Sequence, residues 1–328
     1  MRLAVTAPLR RLGSIARGGR PPRSARPGDA VILMYHRIAA IDADPGELAV
    51  HPDRFAEQLA ALRDRFTPLS LPALLSAADR GSIRPGSVVV TFDDGYRDNL
   101  TLAKPLLERF EVPATVFVVS GYVDSGRPFW WDELERICAA PVSLPDRLDL
   151  EIAGRMRTWS VPPGRDRRGL FRELRHALGS LDESERDGVV AQLQTWAGVS
   201  PGDGGTCLTA DELGRLGEGG LIEIGAHTIS HPRLPPLPRS RQREEIGGSV
   251  RRLEEVLGRR VASFSYPFGA LNRASAAAAR DAGLACACSA LPGGVDVSTD
   301  RFRLPRVYAG DWPADDLVRR ISAHLLDG

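Results

Sequence analysis

Two adjacent aspartates, Asp93 and Asp94, stand where an apolar run ends in a glycine. The run, residues 88–92, is rich in β-branched residues and is typical of a strand buried on both faces. Neighbouring strand residues point to opposite faces, so two carboxylates could do different work at one strand end. The C-terminal ends of core strands are where α/β enzymes place catalytic groups. An Asx-turn with helix capping is the alternative, because Asp-Gly is also a turn signal.

Two histidines four residues apart, His227 and His231, form the second chemical signal. They can bind one metal ion if the backbone turns between them. Pro232 disfavours the α conformation at His231, which indicates a strand-end loop or a single turn. Chance clustering of two histidines is the alternative, but the pair follows a predicted strand, as Asp94 does. Two imidazoles and one carboxylate, with water completing the shell, form a catalytic zinc arrangement.

The elements that would position these residues alternate as strands and helices along most of the chain. A strand over 87–94, a helix over 96–110 and a strand over 113–119 make a βαβ unit, which predicts a parallel sheet. Seven or eight strand candidates alternating with helices favour an α/β fold, specifically a closed or nearly closed β/α barrel. The other predicted strands are 30–38, 221–226, 261–266, 284–289 and 302–308, and the other predicted helices are 52–65, 71–79, 209–216, 239–257, 274–282 and 314–326.

A long segment, about 126–205, interrupts this alternation. It is charged, rich in Arg and Pro, and lacks strand signals, and two helices are predicted in it, at 167–181 and 183–196. Because it is too long for a structureless loop in a compact domain, it is interpreted as a helical insertion. Insertions at the catalytic end of a barrel often act as lids or substrate walls.

Composition limits the partners and the location. Charge is balanced, with 43 basic and 42 acidic side chains, so nothing favours nucleic acid. Residues 1–29 predict a flexible basic tail, which could make a weak contact with a membrane surface. No apolar stretch approaches the roughly 20 residues of a membrane span, and no secretory apolar region follows the first arginines. The four cysteines lack metal-binding or disulfide spacing, so reduced thiols and a cytoplasmic location are predicted.

The stretch Thr91-Phe92-Asp93-Asp94-Gly95, taken together with His227-Thr228-Ile229-Ser230-His231-Pro232, resembles the polysaccharide deacetylase family, the NodB-homology carbohydrate esterases. The resemblance covers roughly 30–308 and implies a distorted (β/α) barrel, with 30–328 as the catalytic domain. It implies Asp94, His227 and His231 as metal ligands and Asp93 as the catalytic base. Chemistry fits that division, because a ligated carboxylate is a poor base while its free neighbour can accept a proton from metal-bound water.

The residue that would donate a proton to the leaving amine differs from the one common in the family. Many members use a histidine of a late Leu-x-His motif, but the only late histidine here is His324, close to the C-terminus. The stretch Met34-Tyr35-His36-Arg37 is similar to the branch that includes poly-N-acetylglucosamine deacetylases, in which the acid comes from the first strand. His36 is therefore the predicted acid, with a plain core histidine as the alternative.

The third family motif, Arg-x-Pro-Tyr, is replaced by Phe264-Ser265-Tyr266-Pro267-Phe268-Gly269, which resembles the Tyr-Pro-x-Gly variant of the same branch. Tyr266 is predicted to line the site, but Pro267 has no N–H, so the oxyanion donor stays open. Arg306 could replace the missing arginine beside Asp93, or could be a surface or structural residue. Trp131 could stack on a sugar ring, or could anchor the insertion on the barrel.

These residues and the resemblance predict a metal-dependent hydrolase that removes acetyl groups from N-acetylated sugars. The predicted ion is zinc, and the predicted substrate is a polysaccharide such as an exopolysaccharide, an oligosaccharide or a lipid-linked precursor. The alternatives are an O-acetyl esterase or a non-sugar amidohydrolase on the same scaffold, or a non-catalytic glycan-binding protein. The predicted site comprises Asp93 and His36 as catalytic residues, Tyr266, Arg306 and Trp131 as substrate-binding residues, and Asp94, His227 and His231 as metal ligands.

Overall fold

The apolar runs of the sequence pair side by side as a parallel sheet. The structure, a computed structural model, describes residues 27–41, 44–140, 143–164, 166–202 and 205–325, so the predicted basic tail lies, up to Arg26, outside the described residues. The main strands are β1 (Ala30–Tyr35), β2 (Ser87–Phe92), β3 (Ala114–Val118), β4 (Ile222–Ala226), β5 (Ser263–Ser265), β6 (Cys286–Cys288) and β7 (Val307–Tyr308). Their order in the sheet is β6-β5-β4-β3-β2-β1-β7, and a two-residue strand, Thr67–Pro68, also pairs with β2.

One segment before β7 links the two edges of this sheet. Leu304 N donates to Ala287 O at 3.0 Å and Ser289 N donates to Leu304 O at 2.8 Å, so the segment pairs along β6. Three residues further on, Val307 pairs with Leu33 of β1. The sheet therefore curls into a distorted β/α barrel, which confirms the predicted fold class.

Helices cover the outside of the sheet, and several have the predicted bounds. Three agree residue for residue: α1 (Pro52–Arg65), α2 (Leu71–Asp79) and α8 (Arg239–Leu257). The others are α3 (Lys104–Phe110), α4 (Trp130–Ala139), α5 (Arg167–Leu178), α6 (Glu183–Ala197), α7 (Ala210–Leu216), α9 (Arg273–Asp281) and α10 (Ala314–Ser322).

The predicted helix over 96–110 is interrupted. Its first part is a π-helical turn, Asn99–Ala103, and regular α-helix begins only at Lys104. Pro105 explains the change, because it lacks the N–H that would close the regular helical bond to Thr101.

The insertion contains the two predicted helices, but the prediction that it lacks strands is wrong. Strands Arg147–Ile152 and Arg155–Ser160 form an antiparallel hairpin. In the first strand Leu148, Leu150 and Ile152 are buried while the charged residues between them are exposed. This period-two alternation is the pattern of a half-buried strand. It was not recognised because the exposed positions of the strand are charged and the whole segment is rich in charge.

The buried apolar residues of the described ranges form three clusters, two of them in the barrel and a third built mainly from the insertion. Among the residues that the structure describes, no helix combines the length and the apolar character needed to cross a membrane. All four cysteines are buried and free, and Cys286 and Cys288 lie together on β6, as predicted.

Candidate active site

The predicted site residues come from strand ends that meet at one end of the barrel. Asp93 and Asp94 follow β2, His227 follows β4, and His36 follows β1. Carboxyl ends of parallel strands share one edge of a sheet, so residues far apart in the sequence become neighbours. Gly95 has φ +78°, and a Cβ there would lie 3.0 Å from the Val118 side chain, so glycine is required for the turn that follows the two aspartates.

Asp94, His227 and His231 form a buried group that could hold a metal ion. Asp94 Oδ1 lies 3.5 Å from His227 Nε2 and 3.4 Å from His231 Nε2. With metal–ligand bonds of about 2.0–2.1 Å, tetrahedral ligand atoms lie about 3.3 Å apart, so the observed spacing fits zinc. Asp94 Oδ1 is also buried without a hydrogen-bond partner, as expected of an atom that needs a cation.

Neighbouring groups fix the orientation of these histidines. His227 Nδ1 lies 2.7 Å from the carbonyl oxygen of Ser265. Because a carbonyl oxygen only accepts, Nδ1 must carry the proton, which leaves Nε2 free to bind a metal. Glu245 of α8 accepts hydrogen bonds from Ile229 N, Ser230 N and Ser230 Oγ at 2.9, 3.0 and 2.9 Å, and so holds the loop between the two histidines.

Four non-glycine residues at the site have left-handed backbone conformations: Asp94 (φ 73°), Thr228 (φ 68°), His231 (φ 58°) and Phe268 (φ 58°). Thr228 is the most unusual, because β-branched residues rarely adopt this conformation. Its hydroxyl accepts from His231 N at 3.0 Å and donates to the His227 carbonyl. Strained backbone of this kind persists where surrounding contacts enforce it, and it is common at functional sites.

Asp93 is held by Arg306 through two hydrogen bonds. Arg306 Nη1 donates to Asp93 Oδ1 and Nη2 to Asp93 Oδ2, both at 2.7 Å. Arg306 also donates to Ser289 O, Thr91 Oγ1 and Ser265 Oγ, and its side chain has no exposed surface. This is the position anticipated for an arginine beside Asp93, and it leaves no surface through which Arg306 could contact a substrate.

The two aspartates have opposite pKa shifts. Burial would raise the pKa of Asp93, but the charge and hydrogen bonds of Arg306, together with His227, hold it well below its usual range. Burial, and then the charge of Asp93, raises the pKa of Asp94 well above its ordinary value. A carboxylate that is costly to ionise in place is one that a bound cation would stabilise.

His36 lies beside this pair in a neutral form. Burial lowers the pKa of His36 to about 4, although the charge of Asp93 partly opposes the shift. Its Nδ1 is buried and has no hydrogen-bond partner. His36 therefore lies within reach of the charge of Asp93 and has a proton-binding atom unused, and its role as the acid stays a prediction.

Two of the predicted substrate-binding residues are enclosed. Tyr266 is fully buried and its hydroxyl donates to Phe302 O at 3.1 Å, so its placement does not support contact with a sugar. Trp131 is 1% exposed and packs against His231, with ring centroids 4.3 Å apart. Its Nε1 donates to Tyr96 Oη at 2.7 Å, which favours the anchoring role over sugar stacking.

Sequence reasoning missed Glu245, Arg175, Arg233 and Phe268, which all lie around the histidine loop. Arg175 was detectable, since it falls on the apolar face of α5 that Phe171 and Leu178 define. Glu245 likewise precedes the core residue Ile246 on α8. Arg233 and Phe268 gave no signal beyond their closeness to motif residues.

The sequence model of the Polysaccharide deacetylase family matches residues 80–145 and 174–287. The chain belongs to this family. The match spans the Asp93-Asp94 and His227–His231 motifs and omits 146–173, where the hairpin of the insertion lies.

Curated relatives match shorter parts of the chain. The poly-β-1,6-N-acetyl-D-glucosamine N-deacetylase of Escherichia coli (strain K12) is 33% identical over 97 residues, which are 29% of this chain and 14% of that protein. The putative polysaccharide deacetylase YxkH of Bacillus subtilis (strain 168) is 25% identical over 126 residues, 37% of this chain and 43% of that protein. The matches thus cover less than half the length of either relative.

Two solved structures share the fold over most of the chain. The Streptococcus pyogenes deacetylase PplD in complex with acetate has a TM-score of 0.60 at 19% identity, covering 90% of this chain and 99% of that one. IcaB from Ammonifex degensii has a TM-score of 0.59 at 19% identity, and the match covers 91% of this chain and 97% of that one. At this identity the likeness establishes the barrel fold.

Proposed function

We propose that the chain is a metal-dependent N-deacetylase of N-acetylated sugars, with Asp94, His227 and His231 holding the ion. The observation that carries the proposal is the spacing of the three ligand atoms beside a second, arginine-bound carboxylate. Zinc is the proposed ion, because two imidazoles and one carboxylate are a ligand set of catalytic zinc.

A divalent ion bound there would act as a Lewis acid on a water molecule and on the acetyl carbonyl. Asp93 is the proposed base: it stays ionised, and its Oδ1 keeps a lone pair beyond the bond to Arg306, whereas Oδ2 also accepts from Ser265 Oγ at 3.3 Å. Arg306 orients that carboxylate and does not contact the substrate. The attacking water gives its proton to Asp93, and the amine leaves with a proton from His36.

His36 enters this reaction as a neutral imidazole, because its pKa lies at about 4. The proton that it delivers must therefore arrive during the reaction. We propose that it is the proton that Asp93 has taken from water, since the charge of Asp93 already acts on His36. The proton balance then closes, with one taken from water and one given to the amine.

The substrate class rests on the family and on what its relatives are named for. The E. coli relative is named for N-deacetylation of poly-β-1,6-N-acetyl-D-glucosamine. For this chain we propose a substrate that carries an acetamido sugar, without specifying the polymer. The substrate is a polysaccharide, an oligosaccharide or a lipid-linked precursor. We propose residues 30–328 as the catalytic domain, preceded by a tail of residues 1–29. The cytoplasmic location and the contact of the tail with a membrane surface stay predictions.

Acetate release tests the proposal directly. The metal-loaded protein and its Asp94→Asn variant are assayed on acetylated chitooligosaccharides, on acetylated xylan and on lipid-linked acetamido sugars. Acetate from the acetamido substrates that depends on both metal and Asp94 supports N-deacetylation. Release from xylan alone would favour an O-acetyl esterase, and glycan binding without acetate release or bound metal would favour a non-catalytic protein.

A further inference from the structure

Two arginines near the candidate ligands share one aromatic ring. The guanidinium carbon of Arg175, on α5 of the insertion, lies 5.1 Å from the ring centroid of Phe268. That of Arg233, two residues beyond the second candidate ligand, lies 4.3 Å from the same centroid. Three separate segments of the chain therefore bring two positive charges to one place.

This cation pair lies next to the candidate metal ligands. The Phe268 ring packs against the ring of His231, with centroids 4.8 Å apart. Gly179, at the end of α5, closes the other side: a Cβ there would approach Phe268 Cζ to 3.2 Å, and its carbonyl accepts from Arg233 N at 2.7 Å. An anion held by the two guanidinium groups would thus lie about one aromatic ring away from His231.

Both arginines are half-buried, and each has a buried atom without a partner. The Nε atoms of Arg175 and Arg233 are buried without a hydrogen-bond partner, and over the described ranges neither guanidinium forms an ion pair. Arg306 in the same barrel end shows the contrast, since it forms a two-point pair with Asp93. A buried guanidinium N–H without an acceptor is costly, so two unpaired arginines beside the candidate ligands are suited to bind a negative group.

The two arginines are surrounded by other charged groups. Both guanidinium groups lie on the Phe268 ring, so the two positive charges repel each other. Among the carboxylates that oppose the lowering of the pKa of Arg175, Asp94 acts most strongly. Binding of a divalent cation at Asp94 would offset that attraction and leave Arg175 with the weaker attraction of Glu135 and Asp132.

We propose that Arg175 and Arg233 bind an anionic group of the substrate, a phosphate ester or a carboxylate, on the sugar that presents its acetamido group or on the next one. Planar guanidinium groups match both anions through two-point hydrogen bonding. The substrate class that follows is a negatively charged acetamido sugar, such as a glycosyl phosphate or a uronate-containing chain, rather than a neutral homopolymer. This inference rests on the proposed deacetylation.

The kinetic test compares substrates that differ only in the anion. Acetate release is measured on a neutral methyl glycoside of N,N′-diacetylchitobiose, on its 1-phosphate, and on an acetamido disaccharide that carries a uronate. The wild type is expected to favour at least one anionic substrate by about tenfold or more in kcat/KM, mainly through KM. Preference for the 1-phosphate alone assigns a phosphate site, and preference for the uronate alone assigns a carboxylate site.

Variants separate binding of the anion from a structural role. Arg175→Gln and Arg233→Gln are expected to lose about tenfold more kcat/KM on the preferred anionic substrate than on the neutral one. Arg109→Gln is the matched control, because Arg109 is exposed and also rests on a phenylalanine, Phe110, at 5.3 Å. Equal rates on charged and neutral substrates in the wild type, or equal losses in the variants, would overturn the proposal.

A binding measurement keeps the inference distinct from the proposed reaction. Calorimetry on the full chain compares N-acetylglucosamine 1-phosphate, N-acetylmuramic acid and N-acetylglucosamine. Binding of one charged sugar at least about tenfold tighter than the neutral sugar, lost in Arg175→Gln, supports the anion site even if no acetate is released. Equal affinity for all three would overturn it, even if the protein is an active deacetylase.

Discussion

Asp93 and Asp94 are adjacent in the chain, yet they meet opposite electrostatic environments. Arg306 keeps Asp93 ionised, while burial and the charge of Asp93 oppose ionisation of Asp94. Adjacent strand-end residues point in different directions, which is what lets one carboxylate face an arginine and the other face two histidines. A base and a ligand can therefore come from two identical side chains.

Replacing the proposed base tests that division. Asp93→Asn is expected to lower kcat about 10²- to 10⁴-fold while zinc content stays unchanged, because the ligands are untouched. It should also lower the free energy of unfolding by on the order of 3 kcal/mol, since Arg306 loses its buried counter-charge. Activity, metal analysis and chemical denaturation are measured together. Turnover close to the wild type with metal bound would contradict the assignment of Asp93.

Glu245 is expected to act on the metal through the histidine loop. Glu245→Gln removes the negative charge that the N–H groups of Ile229 and Ser230 contact through Oε2, and its NH2 group cannot accept from the Ser230 hydroxyl as Oε1 does. Zinc affinity should fall about 10- to 100-fold, as for other groups that orient metal ligands. Competition with a chromogenic chelator measures it, and Glu244→Gln, at an exposed neighbouring position, is the control. Unchanged affinity in Glu245→Gln would show that the loop holds its shape without this carboxylate.

At the scale of elements, the insertion builds one wall of the site. Its helix α4 places Trp131 against His231, and its helix α6 places Arg186, whose Nη2 donates to Ser230 O at 2.8 Å. Its helix α5 supplies Arg175 beside Phe268. Three insertion helices therefore contact the loop and turn that surround the candidate ligands, and the role of substrate wall stays a prediction.

The pH dependence of stability has a specific source on α4. Burial, with the charges of Asp44 and Asp132, raises the pKa of Glu135 from 4.5 to about 8. Between these values the folded state binds more protons than the unfolded state, so this group makes stability fall as pH rises from about 4.5 to about 8. Glu135→Gln removes the effect. Its free energy of unfolding should exceed that of the wild type at pH 9 by on the order of 1 kcal/mol, a figure discounted for partial exposure.

Denaturation at pH 4, 6, 8 and 9 checks this expectation, because the difference between Glu135→Gln and wild type should grow through that window. Glu218→Gln, which alters an exposed carboxylate, is the comparison variant. A difference that stays constant with pH would mean that Glu135 ionises alike in the folded and unfolded chain.

At the scale of the molecule, the site exists only because the barrel closes. Arg306 and Asp93 are 213 positions apart in the chain, and the strand segment that carries Arg306 links β6 to β1. The candidate ligands likewise come from β2 and from the loop after β4. Metal binding should therefore report on the integrity of the whole barrel, because the unfolded chain cannot assemble the ligands.

Metal removal should destabilise the fold as well as stop the reaction. Zinc at about 100 times its Kd is expected to add about 2.7 kcal/mol to stability, a rise in Tm of about 4 °C for a chain of this size. Chelation should reverse the rise, and Asp94→Asn should abolish it. Scanning calorimetry of the metal-free, zinc-loaded and chelated protein measures the effect. The same Tm in all three samples would contradict a metal site at Asp94.

Much of this protein could be predicted from local sequence pattern. The bounds of α1, α2 and α8 and the buried strands β2 and β3 follow from apolar periodicity, because each buries a regular set of positions. The motif spacing also put Asp94, His227 and His231 on strand ends of one family fold. The insertion hairpin was not predicted, because charged residues alternate with the buried residues of its first strand.

Only the tertiary structure decided which residues meet. No local pattern could choose between the two roles left open for Arg306, enclose Tyr266 in the core, or bring Arg175 and Arg233 to one phenylalanine ring. These contacts join segments far apart in the chain, so they depend on barrel closure and on how the insertion packs. Periodicity records which face of an element is buried, whereas the partner of a buried charge depends on the packing of the whole chain.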